Sequence, residues 1–138
     1  VGTPTFHLDA TVSAFSTSGH LFVEMVQASN DMHLGHAVMD LRFHAGGKDG
    51  EVLGPGETVN AKMEFFGMDV LIPAGDGIHL IITQTGEDYI PSPVSMQAVT
   101  VGVGATSILS LSTVVRGCDD LFMPPMMTDP YSQCVVED

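Results

Sequence analysis

The feature that most constrains this chain is a hydrophobic pattern that repeats every second residue. From Phe6 onward, and again from Val59 to Phe65, apolar residues alternate with polar ones. A period of two places the apolar side chains on one face of an extended strand, whereas a helix repeats them every three to four residues. Because helical periodicity is missing from nearly the whole sequence, the pattern predicts a protein built from half-buried β-strands.

Eight segments carry a strand pattern, and glycine or proline separates most of them. They are residues 6–14, 21–26, 37–43, 59–65, 70–72, 78–85, 96–103 and 107–115. Short strands at intervals of about a dozen residues are typical of an all-β sandwich or barrel. Since no pair of strands is joined by a two-residue Asn-Gly or Asp-Gly turn, we expect longer connections, as in Greek-key and jelly-roll topologies.

The alternation also predicts which side chains face the core. The expected inward-facing residues are Phe6, Leu8, Ala10, Val12, Ala14, Ala37, Met39, Leu41, Phe43, Val59, Ala61, Met63 and Phe65. The segment from Leu21 to Val26 is apolar on both faces apart from Glu24, which predicts a central strand covered on two sides.

The chain divides near Val115. We expect residues 1–115 to form the sandwich, whereas residues 116–138 contain three prolines and both cysteines without any alternation. This second segment is predicted to be a tail that packs on the sandwich or tethers it to another body.

The charge excludes two classes of partner. Four Lys and Arg residues against 17 Asp and Glu residues give a formal net charge of -13, so phosphate backbones and anionic lipid surfaces should repel the chain. No apolar run approaches the roughly 18–20 residues that a membrane span requires. With 44% hydrophobic residues the chain is also unlike a disordered one. We therefore expect a folded acidic domain that binds neither nucleic acid nor membranes.

No catalytic motif is recognisable in the sequence. It lacks the Gly-x-Ser-x-Gly turn of serine hydrolases, the Cys-x-x-Cys spacing of redox and zinc sites, and a glycine-rich phosphate loop before a helix. We assign no catalytic residue to this chain.

The sequence offers two candidate metal sites, and each also has an explanation that needs no metal. His33 and His36, expected in a loop, and His44, expected at a strand end, could bind a divalent metal together with Asp31 and Asp40. Oxygen ligands for a structural calcium are available in Asn30, Asp31, Asp40, Asp49 and Glu51. Exposed histidines and solvated acidic turns explain the same residues without a metal.

Two further candidates concern the cysteines and a tyrosine. Cys118 and Cys134 could form one disulfide across about 16 residues, with about 3 kcal/mol of stabilisation. Such a bond would favour an extracellular or cell-envelope location, whereas two free thiols would leave the cytoplasm open. Tyr89 is the candidate platform for a carbohydrate, since the chain has no Trp.

Six short motifs follow one another in an order that resembles a known family. They are FHLDATVSAF from Phe6, HLFVEMVQAS from His20, VMDLRFHA from Val38, Pro55-Gly56-Glu57, PAGDGIHLII from Pro73, and SILSL from Ser107. Over about Pro4 to Val115, the sequence resembles the C-terminal, non-catalytic domain of X-prolyl dipeptidyl peptidases and cocaine-esterase-like hydrolases.

The resemblance implies a fold and a supporting role. It implies a jelly-roll β-sandwich of the galactose-binding-domain type, with about eight antiparallel strands. In that family the domain packs on a serine α/β-hydrolase domain, helps to shape the substrate entrance and can contribute to oligomers; the catalytic residues belong to the α/β-hydrolase domain. That partner could be in cis or a separate chain. Two alternatives are a stand-alone carbohydrate-binding or adhesion module on the same fold and a secreted metal-binding protein.

The acidic composition generates a prediction about salt. An acidic, hydrated surface suits a salt-adapted protein, because added ions screen the repulsion between its carboxylates. We expect the thermal midpoint to hold or rise with added NaCl, as followed by circular dichroism. A midpoint that falls with NaCl would contradict salt adaptation.

Overall fold

The computed structural model describes residues 2–15, 18–86 and 98–112. Within these ranges the chain forms seven β-strands in two antiparallel sheets, together with one short 3-10 helix. The strands are β1 (Thr5–Val12), β2 (His20–Gln27), β3 (His33–Asp40), β4 (Thr58–Glu64), β5 (Ile78–Thr83), β6 (Val99–Gly102) and β7 (Ile108–Ser110), and the 3-10 helix is Leu41–Phe43. The predicted all-β class is confirmed, and the two antiparallel sheets agree with a β-sandwich.

The first sheet is built around β1. One edge of β1 pairs with β4 from Thr5 to Thr11. Its other edge pairs with β7 over Thr5 to His7 and with β6 over Asp9 to Val12. The strands β6 and β7 therefore follow one edge of β1 in succession, and residues 103–107 connect them.

The second sheet has three strands in the order β3, β2, β5, so β2 is its central strand. Both of its neighbours run antiparallel to it, and the register places Glu24 opposite His36 on one side and opposite Ile81 on the other. The predicted central position of β2 is confirmed. Within the described residues its outer face is only partly covered, because Phe22 and Glu24 are half-buried.

A single core lies between the two sheets. The buried side chains of β1, of β4 and of Phe65 directly after β4 are those that the alternation predicts, from Phe6 to Val12 and from Val59 to Phe65. They meet Leu21, Val23 and Met25 of β2. Packing of two inner faces against each other is how a sandwich removes its apolar residues from water.

The region around β3 differs from the predicted strand over residues 37–43. β3 begins earlier, at His33, so His33 and His36 lie on a strand and not in a loop. It also ends earlier, because the side chain of Asp40 accepts a hydrogen bond from the backbone N–H of Arg42 and caps the 3-10 helix. Leu41 stays buried after this turn, whereas Phe43 is exposed rather than inward-facing. His44 follows the 3-10 helix rather than ending a strand.

Other predicted boundaries also change. Residues 70–72 form no strand in the described part of the chain; Val70 and Ile72 pack against the core from an irregular segment. β1 ends at Val12, which leaves Ala14 exposed. The predicted strands over 96–103 and 107–115 correspond to β6 and β7, but residues 96–97 and 113–115 lie outside the described residues, as does the tail 116–138.

A β-bulge breaks the register between β2 and β3. Met25 pairs with Gly35 and Val26 pairs with His33, so Leu34 has no residue directly opposite it. One extra residue in a strand reverses the direction in which the following side chains point. His33 and His36 are three positions apart and would lie on opposite faces of a regular strand, but the bulge brings both to the outer face of the sheet.

The core generates a prediction that compares one substitution at two sites. Val23 on the central strand is fully buried, whereas Val52 is 82% exposed. We expect Val23→Ala to lower the free energy of unfolding by roughly 2 kcal/mol, because it removes two buried methyl groups and leaves a cavity. Val52→Ala should change it by less than about 0.5 kcal/mol. Urea denaturation measures both, and equal effects would contradict the described core.

Candidate functional site

The outer face of β1 and β4 is polar, and several of its side chains hydrogen-bond to one another or to the connection between β6 and β7. Asp9 on β1 accepts hydrogen bonds from Asn60 and Thr106, and the hydroxyls of Thr11 and Thr58 lie 2.7 Å apart. The hydrogen bonds from Asn60 and then Thr106 lower the pKa of Asp9 below its ordinary value. This face therefore looks like an ordinary solvated surface.

The outer face of the second sheet has a different character, and we call it the histidine face. Its outward-facing residues on the three strands are His20, Phe22, Glu24, His36, Val38, Asp40, His79, Ile81 and Thr83. The bulge adds His33, so four of the six histidines of the chain lie here. Val38 and Ile81 are both more than 40% exposed. Aromatic, aliphatic and imidazole groups thus share a surface that the described residues leave partly open.

A cavity of about 470 Å³ opens on the histidine face, and we call it the Glu24 cavity. Its lining comes from all three strands and from the segment after β5. The lining residues are Phe22, Glu24, His33, His36, Thr83, Thr85 and Gly86. A second, smaller concavity lies beside it, on the other side of Phe22 and Gly86. Phe22, Thr85 and Gly86 therefore lie between the two concavities and line both of them.

Aromatic contacts organise the wall of the Glu24 cavity. The ring of His36 stacks on Phe22 with centroids 5.6 Å apart, and His33 lies at the same distance from His36. Phe66, which is 71% exposed, meets His36 edge-on at 5.7 Å. The backbone of Gly86 covers the other part of Phe22 so closely that an added Cβ would lie 2.5 Å from the ring. The wall of the cavity thus contains aromatic and imidazole rings that contact one another.

Glu24 supplies the carboxylate of the cavity. Its Oε1 lies 3.8 Å from Nε2 of His33. Within the part of the chain that the structure describes, no Lys or Arg forms an ion pair with it. The carboxylate is about one third exposed and is directed toward the open side of the sheet.

Asp40, at the other end of the face, is already engaged. Its carboxylate accepts hydrogen bonds from Nε and Nη2 of Arg42, and Nε2 of His20 lies 3.4 Å away. Burial alone would raise the pKa of Asp40, but the hydrogen bonds and the charge of Arg42 outweigh burial and bring the pKa below its ordinary value. Asp40 therefore serves the local structure.

A third carboxylate, Asp76, ties β2 to the loop before β5. It accepts hydrogen bonds from the hydroxyl of Ser29 at 2.6 Å, from the amide of Gln27 and from the backbone N–H of Gly77. These bonds, with that of Ser29 the largest cause, lower the pKa of Asp76. Gln27 is the one polar residue buried in the described part of the chain, and this network satisfies its side-chain amide.

The structure brings together only some of the predicted metal ligands. His33 and His36 are neighbours, whereas His44 contacts the carbonyl of Leu41, and Asp40 pairs with Arg42. Asp31 lies in an exposed turn with a positive φ of 55°. Among residues 2–15, 18–86 and 98–112, no three His, Cys, Asp or Glu side chains are arranged to hold a metal ion.

The remaining candidates are scattered or lie elsewhere in the chain. The oxygen ligands proposed for calcium do not converge: Asn30 caps its own turn by accepting from the N–H of Met32, and Asp49 and Glu51 are exposed in the glycine-rich loop. Cys118, Cys134 and Tyr89 lie outside the described residues, so the disulfide and carbohydrate predictions stay predictions.

Sequence reasoning missed the partners that make His33 and His36 part of a site. Glu24 was visible as the lone charge in an apolar strand, which is the one signal that could have pointed to it. Neither Phe66 nor Gly86 carries such a signal, since each reaches the face through tertiary structure. The alternating pattern does not predict the bulge at Leu34 either, because the bulge interrupts the regular strand at that point.

Fold and face together define a β-sandwich whose second sheet carries a cavity on an outer face of mixed aromatic, aliphatic and imidazole groups. Comparison with protein families gives a match to the X-Pro dipeptidyl-peptidase C-terminal non-catalytic domain over residues 1–113. The chain belongs to this family. Searches of curated proteins and of solved structures each gave no match. Within the described residues, no helix is long and apolar enough to cross a membrane.

The environment of Asp40 generates a prediction about pH. Because its pKa is lowered in the folded state, its contribution to stability is present above the unfolded pKa of about 3.9 and is lost as the pH falls through the folded value. Asp40→Asn should lower the free energy of unfolding by about 1 kcal/mol at pH 7, and the difference from wild type should shrink toward pH 3. Urea denaturation at the two pH values measures it.

The control for this prediction is Asp49→Asn, which removes the same charge from an exposed loop. We expect it to alter stability by less than about 0.5 kcal/mol at pH 7. A loss for Asp40→Asn that stays constant from pH 7 to pH 3 would show that its ionised form is not the stabilising one.

Proposed function

We propose that this chain serves as the non-catalytic accessory domain of a serine α/β-hydrolase related to X-Pro dipeptidyl peptidases. In this proposal it packs on the catalytic domain through the histidine face and helps to shape the substrate entrance. The catalytic Ser, Asp and His are supplied by the partner domain, and the sandwich supplies a rigid surface that holds part of the entrance in position.

The observation that carries the proposal is that this family member has a cavity with apolar side chains around it on the histidine face. The face of β1 and β4 satisfies its own polar groups, as the hydrogen bonds of Asp9 illustrate. The histidine face instead exposes Val38 and Ile81 beside the half-buried Phe22. Apolar residues grouped on one side of a domain are typical of a surface that another body covers.

The cavity supports the second half of the proposal. An interface between domains is a common place for a ligand site, because two surfaces enclose more of a ligand than one does. The Glu24 cavity is open on the face that we assign to the catalytic domain, so its rim residues would lie where the two bodies meet. Loop residues such as Thr85 and Gly86 could then border the path of the substrate.

Activity assays generate the first prediction of the proposal. The purified chain should hydrolyse neither an X-Pro-arylamide nor a simple aryl ester, whereas the product of the open reading frame that encodes it should hydrolyse one of them. Release of the arylamine or the phenol is followed by absorbance. Hydrolysis by the purified chain alone would contradict the accessory role, and an open reading frame without an α/β-hydrolase domain would contradict a partner in cis.

The assignment of the face is tested by two matched substitutions. Ile81 on the histidine face and Ile108 on β7 in the first sheet are exposed to similar extents, 43% and 54%. Ile81→Glu should weaken association with the separately purified catalytic domain at least tenfold, since it buries a charge in the interface. Ile108→Glu should leave the association within twofold of wild type. Isothermal titration calorimetry measures both, and the reverse order would assign the other sheet to the catalytic domain.

A further inference from the structure

We propose that Asp49 is a site of spontaneous isomerisation to isoaspartate through a succinimide, and that the fold protects the other Asp-Gly step of the chain from the same reaction. Asp-Gly occurs twice in the sequence, at Asp49-Gly50 and at Asp76-Gly77. Glycine carries no Cβ, so its backbone nitrogen can approach the preceding side chain closely. The two steps share this intrinsic chemistry, and their surroundings in the fold distinguish them.

The reaction is a rearrangement that conserves every atom. The backbone nitrogen of Gly50 attacks Cγ of the protonated Asp49 side chain, the new N–C bond closes a cyclic imide, and a C–O bond breaks. The departing water carries away the carboxyl oxygen and the amide hydrogen. Water then opens the ring at one of its two carbonyls. Opening at Cγ returns aspartate, whereas opening at the backbone carbonyl of Asp49 leaves a main chain that runs through Cβ and Cγ.

Neither reacting group is engaged at Asp49-Gly50. Asp49 is exposed, and among the residues that the structure describes its carboxylate takes part in no hydrogen bond or ion pair. The backbone N–H of Gly50 likewise donates to no acceptor in the described ranges. Gly46 and Gly47, just before this step, have positive φ and open space around them. Rotation within an exposed loop is therefore enough to bring the nitrogen to the carboxyl carbon.

Packing explains why glycine follows Asp49. An added Cβ on Gly50 would lie 3.1 Å from Cβ of Arg42 and equally close to the ring of Phe43. The next residue anchors the loop, because the N–H of Glu51 donates to the carbonyl of Arg42 at 2.8 Å. A larger residue at position 50 would have to displace these neighbours. The close contact with the 3-10 helix thus favours the residue that makes the step reactive.

Both reacting groups are engaged at Asp76-Gly77. One carboxylate oxygen accepts hydrogen bonds from the hydroxyl of Ser29 at 2.6 Å and from the amide of Gln27. The other accepts from the backbone N–H of Gly77 at 2.8 Å. This N–H is directed at an oxygen, whereas attack requires the nitrogen to face Cγ. The peptide after it is also fixed, because the carbonyl of Gly77 accepts from the N–H of Ala28.

Ionisation adds to the protection of Asp76. A protonated carboxyl releases water when the ring closes, whereas a carboxylate would have to expel an oxide, so the ionised form is the less reactive one. The hydrogen bonds to Asp76, with that of Ser29 the largest cause, lower its pKa and reduce its protonated fraction at mildly acidic pH. Loss of the Ser29 hydroxyl should therefore make Asp76 more reactive.

The experiment incubates the 138-residue chain at about pH 6 and 37 °C, after circular dichroism has shown that it is folded there. Cleavage after glutamate places the two steps on separate peptides, residues 25–51 and 65–87. Electron-transfer fragmentation in the mass spectrometer then distinguishes isoaspartate from aspartate at each step. We expect isoaspartate to accumulate at Asp49 at least fivefold faster than at Asp76. Equal rates, or a faster reaction at Asp76, would overturn the proposal.

Incubation in ¹⁸O-labelled water tests the succinimide itself. Ring opening consumes one water, so each isoaspartate should contain one labelled oxygen. Isoaspartate without the label would overturn the succinimide route.

Unfolding separates the effect of the fold from that of the flanking sequence. In guanidinium chloride the hydrogen bonds of Asp76 are lost, so the rates at Asp49 and Asp76 should differ by less than twofold. A fivefold difference that persists in the unfolded chain would overturn protection by the fold.

Three variants identify the protecting contact. Ser29→Ala should raise the rate at Asp76 at least threefold and leave that at Asp49 within twofold, whereas Ser29→Thr keeps a hydroxyl and should retain the slow rate. The matched control is Ser107→Ala, which removes a hydroxyl that donates to the carbonyl of Gly102 and should change neither rate beyond twofold. Circular dichroism reports whether each variant is folded. An unchanged rate at Asp76 in folded Ser29→Ala would overturn the protective role assigned to this hydrogen bond.

Discussion

The pairing of β1 with strands on both of its edges is the constraint on which the rest of the structure depends. β1 lies beside β4, about fifty residues away in sequence, and beside β6 and β7, which are about a hundred residues away. Its buried side chains, from Phe6 to Val12, form the middle of the core. Because most of its pairings are distant in sequence, the first sheet is completed only when both halves of the described chain meet, and such contacts are slow to form.

The bulge at Leu34 changes which side chains lie on the outer face of the second sheet. A regular β3 would direct His33 toward the core and leave Glu24 with a single imidazole neighbour. One extra residue moves His33 to the outside, where it joins His36 and Phe22 around a cavity. A local irregularity of the backbone thus decides which residue types share a face, without any change in the pairing of the other strands. The bulge thereby adds His33 to the histidine face and to the lining of the Glu24 cavity.

Much of the fold could be predicted from the sequence, because the alternation in β1 and β4 reports burial directly. One error falls where a side chain competes with the strand. Asp40 captures the N–H of Arg42 and turns the chain into a 3-10 helix, so Phe43 does not point inward. The site is less predictable. The motif His33-x-x-His36 is evident in the sequence, but its predicted loop location is wrong, and its neighbours Phe66 and Gly86 come from distant segments that no local pattern connects.

The arrangement of the first and last described strands has a mechanical consequence. Thr5 at the start of β1 lies opposite Ser110 at the end of β7, and an added Cβ on Gly2 would contact Ser112. A force applied between residues 2 and 112 would therefore act across the ladder at one end of the strand pair. It would break the β1–β7 hydrogen bonds one after another, because the pulled ends lie at the same end of the antiparallel pair. It would not load all of these bonds at once in shear. The sandwich would therefore yield first at this seam and at the bridge between Gly2 and Met68, before the pairing of β1 with β4.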